Sequence, residues 1–297
     1  MAWTTADIPA QHGTTAIVTG ANSGIGYETA KALAEKGAHV IFACRNEEKA
    51  AHAIASIQSG SSAARCSVGV LDLSRLSSVR AFAEKTLAEQ DRIDLLINNA
   101  GIMIPPFHLT EDGIESQFAT NHVGHFALTG LLLPRLLSQS GSRVITVSSN
   151  AHRFGKMRFS DLNRAQSYVA WLAYGQSKLA NLLFAYELDR RLRSAGHSTV
   201  SLAAHPGYAS TQITQNSGWM QMATDRVAQS AHAGALPTLR AATDPEAAGG
   251  SFWGPKHFRQ MMGPPVSVSS TKKSHNTDDA KRLWTISEEL SGVQFSV

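Results

Sequence analysis

Cysteine is scarce in this 297-residue chain, which holds only Cys44 and Cys66. One pair cannot build a disulfide framework, and neither thiol stands at metal-ligand spacing, so the composition excludes a disulfide scaffold and a zinc module and predicts a reducing, cytoplasmic setting. Long apolar runs are missing as well. The richest, Ala127 to Leu137, is broken by Thr129, Pro134 and Arg135, short of the roughly 18 apolar residues that a membrane span needs. Met1 to His12 shows no apolar stretch behind a basic start, so the sequence predicts neither a secretory signal nor a membrane anchor. Charge of one sign is not concentrated anywhere: 27 Lys and Arg face 23 Asp and Glu, leaving a net +4. The cations are scattered without interleaved aromatics, which argues against a nucleic-acid face. Internal repeats and low-complexity linkers are also absent, so residues 1–297 read as a single domain.

What is present is a compact α/β composition, 43% hydrophobic with 17% charged residues. From Thr14 short β-branched runs alternate with helix-length amphipathic runs, the pattern of parallel strands joined by crossover helices. Strands are predicted at Ala16–Thr19, His39–Ala43, Cys66–Leu71, Leu95–Asn98, Arg143–Ser148 and Val200–Ala204, and helices at Ile25–Lys36, Glu47–Ile57, Leu76–Ala88, Gly113–Leu137 and Ala170–Ser194. Gly37, Gly60, Gly141 and Gly196 fall just past helix ends, where a left-handed residue is favoured. Six such units predict one doubly wound parallel sheet with helices on both faces. After His205 the alternation breaks. Residues 206–235, above all Pro206 to Ala231, are rich in Gly, Ser, Thr, Gln and Met and are expected to form a mobile cover over a site. A helix is predicted over Ala231–Thr243, a short strand around Gly249 to Trp253, and an amphipathic C-terminal helix and tail over 278–297 that caps the domain.

A glycine-rich turn, Thr19-Gly20-Ala21-Asn22-Ser23-Gly24-Ile25-Gly26, follows the first strand and opens a helix. There the backbone N–H groups and the helix N-terminus can hold a dinucleotide pyrophosphate. Its spacing is Gly-x3-Gly-x-Gly, distinct from the standard Gly-x-Gly-x2-Gly. At the end of the second strand the run Phe42-Ala43-Cys44-Arg45-Asn46 has no Asp or Glu to receive a ribose 2′-hydroxyl. Arg45, with Asn46 beside it, therefore favours a 2′-phosphate and NADP(H) over NAD(H). Asp72, followed by Leu73 after the third strand, is placed to accept from an adenine amino group or to cap the next helix. Later, Ala173-Tyr174-Gly175-Gln176-Ser177-Lys178 heads a long helical run. Residues four apart share a face, so the Tyr174 hydroxyl and the Lys178 ammonium can meet, and a nearby cation favours phenolate.

Taken together these motifs resemble the classical short-chain dehydrogenase/reductases. The resemblance is carried by Thr19-Gly20-x3-Gly24-x-Gly26, Asn98-Asn99-Ala100-Gly101, Asn121, Ser149, Tyr174-x3-Lys178 and Pro206-Gly207, in that order. Within the family, Ala43-Cys44-Arg45, Asn121-His122-Val123-Gly124-His125-Phe126 and Ser177-Lys178-Leu179-Ala180-Asn181 look like the retinol dehydrogenase and WW-domain oxidoreductase branch. The resemblance implies a Rossmann-type fold and hydride transfer between a nicotinamide and a carbonyl or alcohol of an apolar substrate. In it Tyr174 is acid or base, Lys178 bonds the nicotinamide ribose, Ser149 polarises the oxygen and Asn121 holds a water leading to Lys178. Gly20, Asn22, Ser23, Gly24, Ile25, Gly26, Asn99, Ala100, Gly101, Pro206, Gly207 and Thr211 complete the implied cofactor site. The link from Ser149 to Tyr174 is longer than in the shortest members, which leaves Asn150 to Val169 as an insertion beside the substrate mouth. A homodimer pairing the long helices also occurs in the family. Two other readings share the motifs: an NADP(H)-sensing regulatory protein without turnover, and a C=C reductase resembling protochlorophyllide reductases. His122 and His125, three apart on a helix, lack an acidic third ligand and read as packing residues, so no metal is expected. His205 reads as a loop residue. Phe154, Trp171, Trp219, Met220 and Met222 are apolar candidates for a pocket lining.

Overall fold

The computed structural model describes residues 2–208 and 230–297. Thr211, Trp219, Met220, Met222 and most of the predicted cover lie outside the described residues. One eight-stranded sheet runs through the protein, built from β1 (Thr15–Thr19), β2 (His39–Cys44), β3 (Arg65–Val70), β4 (Leu95–Asn98), β5 (Arg143–Val147), β6 (Val200–Ala204), β7 (Phe252–His257) and β8 (Met262–Ser267). Its order is 3-2-1-4-5-6-7-8, parallel through β7 and antiparallel between β7 and β8. The strands at its centre are buried on both faces, which is why they read as continuous apolar runs. Within β1, Ala16 and Val18 face a core shared with α1 (Gly24–Glu35), α2 (Glu47–Gly60) and α7 (Ala231–Thr243). Ile17, between them, faces the opposite core, shared with α3 (Leu76–Glu89), α5 (Gly124–Leu137), α6 (Ala170–Ser194) and α8 (Thr277–Ser291). Side chains alternate across a strand, so one run of five residues anchors both helical layers.

The structure departs from the sequence reading in four places. The sheet has eight strands, one more than the six units and the short strand expected around Gly249 to Trp253, which is β7. β8 carries Gly263, Pro264 and Pro265, which read as loop; at a sheet edge a proline without an N–H forfeits no ladder bond. The predicted helix Gly113–Leu137 is not one element. Gly113 sits in a turn at φ 73°, a short helix α4 (Ser116–Phe118) is capped by the Glu115 carboxylate, and a π-helical turn, Ala119–Val123, precedes α5. Gly37, Gly141 and Gly196 take left-handed φ of 97°, 73° and 75°. Gly60 does not follow a helix; it is the last residue of α2, and the extended Ser61 ends it. Finally, the Asn150–Val169 insertion opens with a 3-10 turn, Asn150–Arg153, capped by the Ser149 hydroxyl.

Gly124, where α5 begins, packs against the loop that leaves β3. A Cβ there would overlap the Leu73 carbonyl. Helix propensity alone would make Gly124→Ala stabilising by about 1 kcal/mol. The clash reverses the sign, because forcing packed backbone apart costs about 1–3 kcal/mol. Urea unfolding of Gly124→Ala is expected to show a lower midpoint at unchanged slope; an equal or higher midpoint would contradict this packing.

Candidate active site

The sheet order reverses direction between β1 and β4, and in open α/β sheets ligands bind outside the strand ends at such a point. A cleft of about 980 Å³ opens there. The loop after β1 forms one wall and the loop after β4 the other, and the Thr19 hydroxyl joins them by accepting from Asn99 N and Ala100 N, both at 2.9 Å. Asn99 Nδ2 returns a bond to Thr19 O at 2.8 Å. With both lone pairs of Thr19 Oγ engaged, its proton goes to the nearer acceptor, His125 Nε2 at 2.9 Å, in preference to Ile97 O at 3.3 Å. That assigns the proton on the ring to Nδ1, which donates to Asn121 O at 3.1 Å. Burial pushes His125 down to about 3, so the ring stays neutral.

Along the first wall, Gly20 has φ 67° and a Cβ on Gly26 would collide with Gly20 O and Asn99 Nδ2. No side chain could be added here without closing the turn. Ser23, the residue before α1, makes no side-chain cap, so the first N–H groups of this 12-residue helix are left without a capping side chain at the cleft edge. Uncapped donors behind a bare glycine turn fit a dinucleotide pyrophosphate. Gly20, Asn22, Ser23, Gly24, Ile25, Gly26, Asn99, Ala100, Gly101, Pro206 and Gly207 all line the cleft. Arg45 is exposed just beyond β2, and Asn46 caps α2 by accepting from Lys49 N at 2.8 Å. Asp72 Oδ1 accepts from Ser74 N and Ser74 Oγ at 3.0 and 2.6 Å, turning its own loop; α3 is entered instead through Leu76 N, which donates to Asp112. Leu73 is buried beside Asp72.

Tyr174 and Lys178 stand one turn apart on α6 and both line the cleft. The Ser149 hydroxyl neighbours the Tyr174 phenol, and Ser149 Oγ accepts from Ala151 N at 3.2 Å. Ser149 thus caps a turn and stands beside the phenol at once. The Lys178 ammonium donates to Val147 O at 3.2 Å and lies 5.8 Å from the centre of the Tyr174 ring. Asn121 is in the π-helical turn; its amide accepts from Ile102 N at 2.8 Å and donates to Ile102 O and Ser177 Oγ at 3.0 and 2.9 Å. The Asn121 side chain therefore clamps the loop after β4 onto the turn of α6 that carries Lys178. Gly101 lies between: a Cβ on it would sit 3.0 Å from Asn121 Oδ1 and 3.5 Å from Lys178 Nζ.

Sequence reasoning expected a depressed tyrosine. Among the protein's own groups burial dominates, pushing the Tyr174 phenol up to about 12 while the neighbouring Ser149 hydroxyl pulls it down. Burial likewise pushes Lys178 down to about 8. The pair is thus a neutral phenol over an amine that titrates near physiological pH.

Other residues at and beside the cleft carried no motif. His152 Nδ1 donates to Ser149 O at 2.7 Å, holding the backbone of the serine; a histidine three residues on was the only signal. Arg153, Arg259, Gln260 and Met261 enter from the insertion and the β7–β8 turn, and Phe154 and Trp171 form an edge-on pair with centroids 6.4 Å apart. His122 and His125 are packing residues: His122 Nε2 meets Ser287 Oγ at 2.9 Å amid Phe118, Phe126 and Phe184. His205 is wholly buried, its Nδ1 accepting from Gly207 N at 3.2 Å.

The buried amine makes stability depend on pH. Lys178 binds its proton less tightly in the fold than in the unfolded chain, so between about 8 and 10.5 the unfolded chain holds more protons. Stability from this group therefore rises with pH across that window, by up to about 1.4 kcal/mol per pH unit. Unfolding free energies of wild type and Lys178→Met, measured from pH 7 to 10, are expected to move in favour of wild type above pH 8. A constant difference would show that the ammonium is not desolvated.

Comparison with known proteins agrees with this geometry. Residues 14–221 match the short chain dehydrogenase family. Retinol dehydrogenase 12 of Mus musculus is 42% identical, the match covering 95% of this chain and 88% of the relative. For retinol dehydrogenase 11 of Homo sapiens the figures are 40%, 95% and 86%. An uncharacterised protein from Mycobacterium Paratuberculosis has a crystal structure that superimposes with a TM-score of 0.86 at 45% identity, covering all of both chains. Glycine turn, serine, tyrosine and lysine thus occupy one cleft of a sheet whose order and relatives coincide, and the chain belongs to the short-chain dehydrogenase family of oxidoreductases, in its retinol-dehydrogenase-like branch.

Proposed function

We propose that the protein is an NADP(H)-dependent alcohol dehydrogenase or carbonyl reductase acting on a fairly apolar substrate. The observation that carries this reading is the convergence of Ser149, Tyr174 and Lys178 on one cleft, with the Lys178 ammonium held by Val147 O. A bound nicotinamide dinucleotide supplies or accepts the hydride. The chain itself does the rest. Backbone N–H groups of the Gly20–Gly26 turn hold the pyrophosphate, and Arg45, exposed beyond β2 where no Asp or Glu ends the strand, takes a 2′-phosphate. Ser149 donates to the substrate oxygen and fixes its position, while Tyr174 gives that oxygen a proton during reduction and removes it during oxidation. Lys178 bonds the ribose and brings positive charge toward the phenol, countering the burial that raises it. Asn121, through Ser177 and Ile102, keeps the ammonium and the loop after β4 in register.

Cys44 and Cys66 are unpaired, and burial pushes both thiols up to about 11, far from reactive thiolates. Among the described residues no helix is long and apolar enough to cross a membrane.

Tyr174→Phe is expected to lower kcat for ketone reduction by about 10²–10⁴-fold with little change in NADPH affinity; activity within tenfold of wild type would remove the acid–base assignment. Arg45→Ala is expected to weaken NADPH binding by roughly tenfold or more while sparing NADH, since a charge-assisted phosphate bond contributes about 1.5–3 kcal/mol. Unchanged NADPH affinity, read by calorimetric titration, would contradict the role given to Arg45.

A further inference from the structure

The turn between β7 and β8 places three consecutive residues other than glycine, Phe258, Arg259 and Gln260, at φ of 50°, 54° and 66°. L-residues disfavour this left-handed region, and strain of this kind concentrates where a binding site needs it. Here several bonds hold it in place. Gln260 O accepts from Asn150 Nδ2 at 3.1 Å, and Gln260 Nε2 donates to Ser269 O at 3.1 Å. Met261 N donates to His257 O at 3.0 Å, and Met261 O accepts from Tyr208 N at 2.9 Å. Because Asn150 directly follows Ser149, the strained turn is bonded to the neighbour of the serine that faces the substrate.

What the turn delivers to the cleft is a guanidinium. Arg259 lines the cleft and forms no ion pair among the described residues. Arg153, from the insertion, lines it too, with only a 3.4 Å contact to Asn150 Oδ1. None of the described lining residues is Asp or Glu, and beside the two arginines stand apolar Ile102, Met103, Phe154, Trp171 and Met261 together with neutral polar Asn150, Gln260 and Ser269. Two guanidiniums, with no carboxylate among the described lining residues to neutralise them, repel cations and attract anions. The planar donor fork suits a carboxylate or a phosphate.

We propose that the substrate is an apolar carbonyl compound, or the corresponding alcohol, bearing one carboxylate or phosphate remote from the reacting carbon, received by Arg259 and Arg153. This specificity rests on the oxidoreductase reading above, and its test separates the two. Aryl ketones on one skeleton, ending in a carboxylate, a phosphate or a neutral carboxamide, are reduced by the full chain with NADPH. The better anionic ketone is expected to exceed the carboxamide at least tenfold in kcat/KM, through KM, and to lose that advantage as salt screens the rim. The carboxylate and phosphate arms identify the anion. Arg259→Gln is expected to remove most of the advantage while leaving the carboxamide ketone unchanged. Equal kcat/KM for all three ketones, or an equal loss on all three in Arg259→Gln, overturns the proposal. If no ketone turns over, the oxidoreductase reading fails, and calorimetric titration of the same three compounds into the NADP-loaded protein decides the anion site. A preference for anions that Arg259→Gln abolishes supports it, and equal binding of all three overturns it.

Discussion

An amine taken out of water at the floor of a cleft is the constraint on which the rest of this structure depends. Lys178 is only 4% exposed, and Val147 O is the hydrogen-bond acceptor identified for its ammonium among the described residues. Such a charge is costly to bury, which is why its pKa falls. The surroundings are arranged to hold it there. Ser148 Oγ bonds the carbonyl of Lys178 itself at 2.7 Å, Asn181 Nδ2 shares Val147 O at 3.1 Å, and Gly101 leaves the space above the ammonium free of a side chain. Helix α6 is therefore bound to the end of β5 at the turn where chemistry would occur, and Tyr174 inherits its position from that anchorage.

The same economy links the cofactor side to the catalytic side. The Thr19 hydroxyl ties the loops after β1 and β4, His125 ties Thr19 to the carbonyl of Asn121, and the Asn121 amide ties both to Ser177. The bonds made by His125 and the Asn121–Ser177 bond are buried and those from Asn99 N and Ala100 N part-buried, and in a buried setting an unmade partner costs more than the bond gains in water. The glycine turn and the lysine are thus joined through a neutral histidine and a π-helical turn. The preorganisation that catalysis needs is in this way supplied by polar contacts between elements far apart in sequence.

Much of this was legible beforehand because the informative residues carry their physics locally. The Gly20–Gly26 turn, the absence of an acid after β2, and a phenol four residues ahead of an amine keep their meaning in any context that supplies strand, turn and helix. The parallel strands through β6 were legible for the same reason, being buried runs bounded by turn residues. What could not be read depends on tertiary context. β8 contains Gly263, Pro264 and Pro265, a loop by composition, and becomes a strand only because β7 offers it an edge. The π-helical turn inserts its irregularity inside a long apolar run that looks uninterrupted. Arg153 and Arg259 read as two ordinary surface arginines, since nothing in their neighbourhoods says that a hairpin and an insertion bring both to one rim. The depressed tyrosine was expected from Lys178 together with an oxidised cofactor, whereas in the chain alone burial raises the phenol.

The central claim is that hydride passes to a carbonyl carbon whose oxygen lies between Ser149 and Tyr174. Reduction of a ketone with NADPH deuterated at the reactive C4 position tests it most directly, with mass and NMR analysis of the product. The account predicts one deuterium on the carbinol carbon, with a proton from solvent on its oxygen. Deuterium on a carbon next to the carbonyl, as in reduction of a C=C bond, or no transfer to any ketone despite tight NADPH binding, would contradict it.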